Sequence, residues 1–307
     1  MQHLIPSHAS RPADDPIFAL NREATARRTK GESIINATVG ALLGDDNKLA
    51  VLPTAARIIT EVPSEEWAAY APIAGTPEFT KAVTSDLFAS LPALAEMATT
   101  VATPGGSGAL RLAISNYLEP GQALLTTNYY WGPYETLADE ADRKVETFAM
   151  FDKEGGFDVA ALDAAIAKQI KSQGRVLIFL NDPCHNPTGY SMRVSEWTKV
   201  AEVVRKHGKT APVTLLVDAA YAAYGRTDRA AILKEIAPIA GDAGLLFAWS
   251  ASKTFTHYGL RVGALAACSP DSDERKRTHA AFSYSCRGTW SNCSRRHGRI
   301  CRTRLSS

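Results

Sequence analysis

From residue 99 onward the chain alternates between short, nearly unbroken apolar runs and longer stretches with helical spacing. The runs cover 99–103, 123–127, 144–150, 176–180, 213–217, 245–250 and 262–267. Most lack the strict in–out alternation of a strand with one wet face, so they read as strands buried on both sides. Between them, residues 107–118, 132–142, 158–172, 193–207 and 229–239 repeat apolar positions at helical intervals. Strands alternating with helices predict an α/β protein with a mostly parallel, seven-stranded sheet sandwiched by helices. Earlier in the chain, helices are expected over 17–30, over 53–62 (opened by Pro53) and over 77–91. A short strand or loop is expected over 35–44, and a loop over 67–75. In sheets of this kind ligands sit beyond the carboxyl ends of the strands, so functional residues are expected just after each run.

Composition sets limits. With 307 residues, 45% hydrophobic and 21% charged, the chain has the balance of an ordinary globular protein. The net charge of +2 hides an uneven spread, because residues 293–307 hold five arginines and no acid. The remaining body is mildly acidic and offers no general case for nucleic-acid binding. Five cysteines are scattered without a CxxC pair, which suits reduced thiols in the cytoplasm better than a disulfide framework or a zinc site. The start shows no basic region followed by an apolar stretch, and no run approaches the ~20 residues that span a bilayer. A soluble, cytoplasmic protein without a metal is expected.

The strand ends then carry the chemistry. The stretch Ser250-Ala-Ser-Lys-Thr-Phe-Thr-His-Tyr-Gly-Leu-Arg-Val-Gly263 places Lys253 just past a buried run, with Ser250 and Ser252 beside it and Arg261 further on. A lysine there is costly unless paired or covalently used, and hydroxyls with an arginine suggest a phosphate. Together they suggest a Schiff-base lysine for a phosphorylated aldehyde, pyridoxal phosphate; alone, Lys253 is better read as a strand-end lysine reaching solvent. Pro104-Gly-Gly-Ser-Gly108 precedes a helix, where backbone amides and the helix dipole favour an anion. Trp131 follows the second run and can stack on a planar ligand or plug the core. His185 tempts a catalytic reading, but beside a proline turn it is expected to be structural. Asn186 offers an amide fixed by Pro187. Asp218 ends a buried run, as either the partner of a cation or the cap of a helix, and Tyr221 follows it.

At this point the sequence resembles the class I aminotransferases, in their aspartate and aromatic branch. The resemblance runs from about residue 35 to residue 292. It is carried by Val39-Gly40, Tyr70-Ala-Pro-Ile-Ala-Gly75, Gly106-Ser-Gly-Ala-Leu110, Trp131-Gly132, His185-Asn-Pro-Thr-Gly189, Asp218-Ala-Ala-Tyr221 and Ser250–Gly263. It implies the pyridoxal-phosphate-dependent transferase fold and transamination between an amino acid, acidic or aromatic, and a 2-oxo acid. By the same resemblance Lys253, Asp218 and Tyr221 would be catalytic. Gly106, Ser107, Ser250 and Arg261 would hold the phosphate, Asp218 the ring nitrogen, Tyr221 and Asn186 the ring hydroxyl, and Trp131 the ring face. Tyr70 would reach the phosphate of a neighbouring subunit, implying a homodimer. Gly40, Trp131, Asn186 and Arg287 would face substrate, Arg287 through a distal carboxylate, although Gly288 stands where the family more often has proline. The implied layout is an N-terminal segment of the small domain and dimer arm (1–47), a large cofactor-binding domain (48–270) and an incomplete small domain (271–307). Residues 293–307 resemble nothing in the family and read like a truncated gene or a shifted frame. The family region that would follow carries the arginine for the substrate's α-carboxylate. Two alternatives stand beside transamination: another reaction of the same cofactor, such as elimination or decarboxylation, or a cofactor-binding homologue without turnover.

Overall fold

The computed structural model describes residues 3–12 and 14–294. The basic tail expected at 293–307 therefore lies outside the described residues from 295 onward. The chain divides into two compact units, with the boundary between Ala50 and Val51.

The first unit is built on helix α1 (Pro16–Thr29), whose N-terminus is capped by Asp15 accepting from the amides of Ile17 and Phe18. Asp15 at the N-cap and Pro16 at the first helical position fix where the helix begins. Within this unit Asn36 Nδ2 donates to Asn21 Oδ1 at 2.9 Å, and Thr38 donates to Asn36 Oδ1 at 2.7 Å. Of the short strand or loop expected over 35–44, the loop is what forms. Only a bridge between Leu43 and Leu49 appears, and Gly40 is exposed.

The second unit holds all seven expected strands: β1 (Ala98–Pro104), β2 (Ala123–Thr127), β3 (Lys144–Phe148), β4 (Val176–Asn181), β5 (Val213–Asp218), β6 (Gly244–Ser250) and β7 (Val262–Cys268). Their order across the sheet is β1-β7-β6-β5-β4-β2-β3. All pairings are parallel except those of β7, which runs antiparallel to both β1 and β6. Helices α2 (Pro53–Thr60), α3 (Pro77–Leu87), α4 (Gly105–Tyr117), α5 (Pro133–Asp139), α6 (Val159–Gln173), α7 (Val194–Gly208), α8 (Arg229–Ile236) and α9 (Ser272–Thr289) accompany the sheet.

Several expectations shift. The helix read over 229–239 ends early, and a separate turn begins at Ile239, because Pro238 has no amide to continue the ladder. The 77–91 helix stops at Leu87, and the 67–75 loop follows a short helix, Ser64–Ala68. The 144–150 strand ends at Phe148.

The sheet separates two cores. On one face α6 and α7 bury Leu162, Ile166, Trp197, Val200 and Val204 against Leu215, Val217 and Phe247. On the other, α4 and α5 bury Leu110, Ile114, Tyr134 and Ala138 against Leu177, Phe179, Leu216, Leu246 and Leu265, and α9 adds Phe282 and Cys286. Each such large side chain contributes roughly 1.5–3 kcal/mol of transfer free energy. Side chains alternate along a strand, so the position of Leu216 on β5 assigns Asp218 to the α4–α5 face. On β6, Leu246 and Ala248 assign Ser250 to that same face.

Candidate active site

Two strand ends meet where β7 turns back. Ser250 of β6 pairs with Gly263 of β7, and Thr103 of β1 pairs with that same Gly263. The antiparallel strand thus brings the start of α4, the end of β6 and Arg261 to one place.

β6 ends at Ser250, and the chain passes directly into a one-turn helix, Ala251–Thr254, that carries Lys253. Ser250 caps this turn by accepting from the Ser252 amide at 3.3 Å. Arg261 adopts a left-handed backbone with φ 55°, and its guanidinium returns over the β1–α4 turn. There it donates to the carbonyls of Tyr258 (3.1 Å) and Pro104 (3.5 Å). Glycine is required at 105, where φ is +74° and a Cβ would meet that guanidinium. At Gly106 a Cβ would approach Ser250 Cβ to 3.3 Å. The first amides of α4, at Gly106 and Ser107, therefore open beside a cation and a serine, a ready anion cradle. The buried Ser252 hydroxyl has no hydrogen-bond partner among the described residues.

The lysine lies among tyrosines. Its Nζ is 4.9 Å from the Tyr258 ring centre and 5.8 Å from that of Tyr221, and Tyr224 donates to the Lys253 carbonyl at 2.8 Å. Burial, and then the positive charge of Arg261, lower the Lys253 pKa, which favours the neutral amine a nucleophile needs.

Across the strand ends lies a carboxylate. Asn181, Asp218 and Ala248 stand in register on β4, β5 and β6. Asp218 is 6% exposed, and its carboxylate has two donors: the Tyr134 hydroxyl on Oδ2 at 2.7 Å and the Ala220 amide on Oδ1 at 3.2 Å. Burial raises its pKa, while those two hydrogen bonds oppose the rise. The Ala220 bond closes a turn rather than capping a helix, so the helix-cap alternative for Asp218 does not hold. Asn181 ties this group together, donating from Nδ2 to the Asp218 carbonyl (2.9 Å) and accepting the Asn186 amide (2.7 Å). The Asn186 side chain hydrogen-bonds the Tyr221 hydroxyl. Burial first, and then the charge of Asp218, raise the Tyr221 pKa, and the Asn186 bond lowers it. The loop between Asn181 and Tyr190 carries cis peptides before Pro183 and Pro187. His185 is buried within it, with Nδ1 2.9 Å from the Thr188 hydroxyl, which fits a structural role.

Trp131 reaches this group through Tyr134, which it meets edge-on with ring centres 5.9 Å apart. Tyr70 and Arg287 stand differently. Tyr70 is 89% exposed, and Arg287, in the last turn of α9, donates to the Ser291 hydroxyl at 2.6 Å. Gly40 belongs to the first unit. Sequence reasoning missed Tyr134, Asn181, Tyr224 and Tyr258. For Tyr134 a signal existed: it stands one helical turn after Trp131, behind Pro133, at the start of the helix following β2. Among the described residues no cluster of His, Cys, Asp or Glu is arranged to hold a metal ion. Nor is any helix of the described residues long and apolar enough to cross a membrane.

The model of the aminotransferase class I and II family matches residues 32–291, and the chain belongs to that family. An aromatic-amino-acid aminotransferase of Paracoccus denitrificans is 30% identical over 227 residues, covering 72% of this chain and 55% of the relative. Aspartate aminotransferases of enteric bacteria are also among its relatives. The solved aminotransferase of Anaerococcus prevotii superposes with a TM-score of 0.91 at 32% identity, covering 100% of this chain and 76% of that one. An aromatic-amino-acid aminotransferase of Burkholderia pseudomallei, solved covalently bound to pyridoxal phosphate, has a TM-score of 0.79 at 25% identity, with 99% of this chain and 76% of that one covered. The chain spans about half the length of the first curated relatives it matches.

Proposed function

We propose that this protein is a pyridoxal-phosphate-dependent transaminase acting on acidic or aromatic amino acids. The observation that carries the reading is Lys253 itself: it feels the charge of Arg261 from the anion cradle, and its Nζ lies 5.8 Å from the ring centre of Tyr221, which in turn feels the charge of buried Asp218. The residues present fit the cofactor. Among the described residues the Ser252 hydroxyl lacks a partner and Asp218 has only neutral donors, while Gly105 and Gly106 leave space where side chains would collide. Arg261, Ser250 and the amides of Gly106 and Ser107 would hold the phosphate, Asp218 the ring nitrogen, and Tyr221 with Asn186 the ring hydroxyl. Trp131 would cover the ring face.

When bound, the cofactor supplies an electron-withdrawing ring and a carbonyl carbon that make an amino acid's Cα proton acidic. Lys253 Nζ, whose pKa is lowered by burial and then by the charge of Arg261, would be the nucleophile toward that carbonyl carbon. When not bonded to the cofactor, the same Nζ would serve as the base that holds the proton taken from the amino acid's Cα. Asp218, shielded from water, would keep the ring nitrogen protonated. A buried carboxylate is costly without such a cation, so its burial favours the protonated ring.

Substrate and assembly follow the family likeness. Relatives named for aromatic amino acids and for aspartate support both substrate types. Arg287 is assigned to a distal carboxylate and Gly40 to the substrate pocket. Tyr70, largely exposed, suits a side chain that reaches a second subunit, so a cytoplasmic homodimer belongs to the same reading. The layout of residues 1–47, 48–270 and 271–307 is proposed with it.

Mixing the purified protein with pyridoxal phosphate tests the reading. A visible absorbance band is expected that Lys253→Ala abolishes, and the band should fade on adding aspartate or phenylalanine. A wild-type protein that stays colourless at saturating cofactor overturns it.

A further inference from the structure

Tyr134 is a buried polar side chain at the site that the proposed chemistry does not use. It is 1% exposed, and its ring is fixed on two sides, edge-on to Phe179 (5.3 Å between ring centres) and edge-on to Trp131 (5.9 Å). Its hydroxyl has one acceptor, Asp218 Oδ2, at 2.7 Å. A tyrosine locked by packing has no freedom to turn this bond elsewhere, so the phenol dictates the plane of the carboxylate. Among the described residues the other oxygen, Oδ1, accepts only the Ala220 backbone amide, at 3.2 Å.

We propose that Tyr134 is a positioning residue for the cofactor ring: its hydroxyl orients Asp218 and keeps it ionised, while its ring edge holds Trp131. This rests on the proposed cofactor reading. One side chain would then set two groups on opposite aspects of the bound ring, the carboxylate on its nitrogen and the indole on its face. Burial drives Asp218 toward its protonated form, and the phenol opposes that drive without bringing a competing charge. A lysine or arginine in its place would neutralise the carboxylate outright and remove its need for a protonated ring. A phenol holds the carboxylate and leaves its charge available. The groups that bear on Asp218 are Tyr134 on α5, Ala220 in the turn after β5, and Tyr221 beyond it.

The test is Tyr134→Phe in the full chain, read by absorbance titration with pyridoxal phosphate rather than by turnover. Cofactor affinity is expected to fall about tenfold or more, the loss of one hydrogen bond to a charged group. The deficit should widen from about pH 8 to about pH 6, because an Asp218 without its phenol protonates sooner. Tyr134→His, which offers an N–H in place of the O–H, should recover part of the affinity. In an Asp218→Asn background, Tyr134→Phe should change affinity by less than about twofold, since the residue acts through the carboxylate. Equal affinity and an unchanged pH profile for wild type and Tyr134→Phe overturn the proposal. So do losses that add fully with Asp218→Asn, which would mark a general packing role. A wild-type protein that binds no cofactor would instead fail the functional reading itself. Unfolding midpoints of the cofactor-free variants, measured in parallel, separate lost folding from lost positioning. If Tyr134→Phe fails to fold, Tyr134→His carries the same test through its pH profile.

Discussion

Two buried carboxylates of the second unit show how a fold treats a charge it keeps for itself and one it keeps for a ligand. Glu196, in the first turn of α7, is 6% exposed. It accepts from the Phe157 amide (2.9 Å), the Tyr190 hydroxyl (2.7 Å), the Arg193 amide (2.7 Å) and the Arg193 guanidinium (2.8 Å). Burial pushes its pKa up, but these donors together outweigh it and bring it down to about 2. Asp218 is equally buried and has two neutral donors, and its pKa goes up. A carboxylate with a full set of donors is architecture. One left short of them keeps room for a cation that the chain does not itself provide.

The sharpest way to break this comparison is to neutralise the second acid. Asp218→Asn is expected to lower kcat/KM for transamination about a thousandfold. The unfolding midpoint of the cofactor-free protein should not fall, because a buried charge has been removed. A variant that loses stability and keeps turnover would make Asp218 the structural acid. Glu196→Gln should do the reverse. It strands donors at the start of α7 and is expected to cost about 2–4 kcal/mol in urea unfolding, with cofactor affinity unchanged.

Stability against pH gives a finer contrast. Glu196 has a depressed pKa, so its contribution is full above pH 4.5 and is lost as pH falls to about 2. Asp182 goes the other way. Burial raises it to about 6, against hydrogen bonds from the Met192 amide (2.8 Å) and the Trp197 indole (3.1 Å). Because the folded form binds the extra proton, stability should fall as pH rises from 3.8 to about 6, and Asp182→Asn should flatten that slope in urea midpoints. The smallest effect belongs to the exposed pair of Lys168 and Glu146, 3.2 Å apart. Lys168→Gln should move stability by less than about 0.5 kcal/mol.

The strands were legible because runs such as 176–180 are apolar at every position and 213–217 at all but Thr214, and buried parallel strands leave that mark. The residues just after them were legible for the same reason: Asp218, Asn186 and Lys253 are polar groups placed where burial has to be justified. Tyr134 was legible only in part: its spacing from Trp131 marks a helix start beside the site, but a tyrosine in a helix reads as core, and its hydroxyl meets Asp218 only through the fold. Helix α9 escaped too. Its buried positions are Phe282 and Cys286, and the charged residues around them blur the period. Arg287 is placed by resemblance alone, since its contact in the described chain is Ser291.

The antiparallel strand β7 also decides how the site can change. The parallel strands are joined through helices on the surface, and such connections accept added residues with modest entropic cost. The connection carrying Lys253 and Arg261 has no such slack. It is pinned at both ends by the pairing of Ser250 with Gly263, and Gly263 lies too close to the Gly105 backbone to admit even a Cβ. An insertion there would swing the lysine away from the arginine or unpair the strand. Substrate range can therefore diversify through the other strand-end loops, while the length of this one stays fixed.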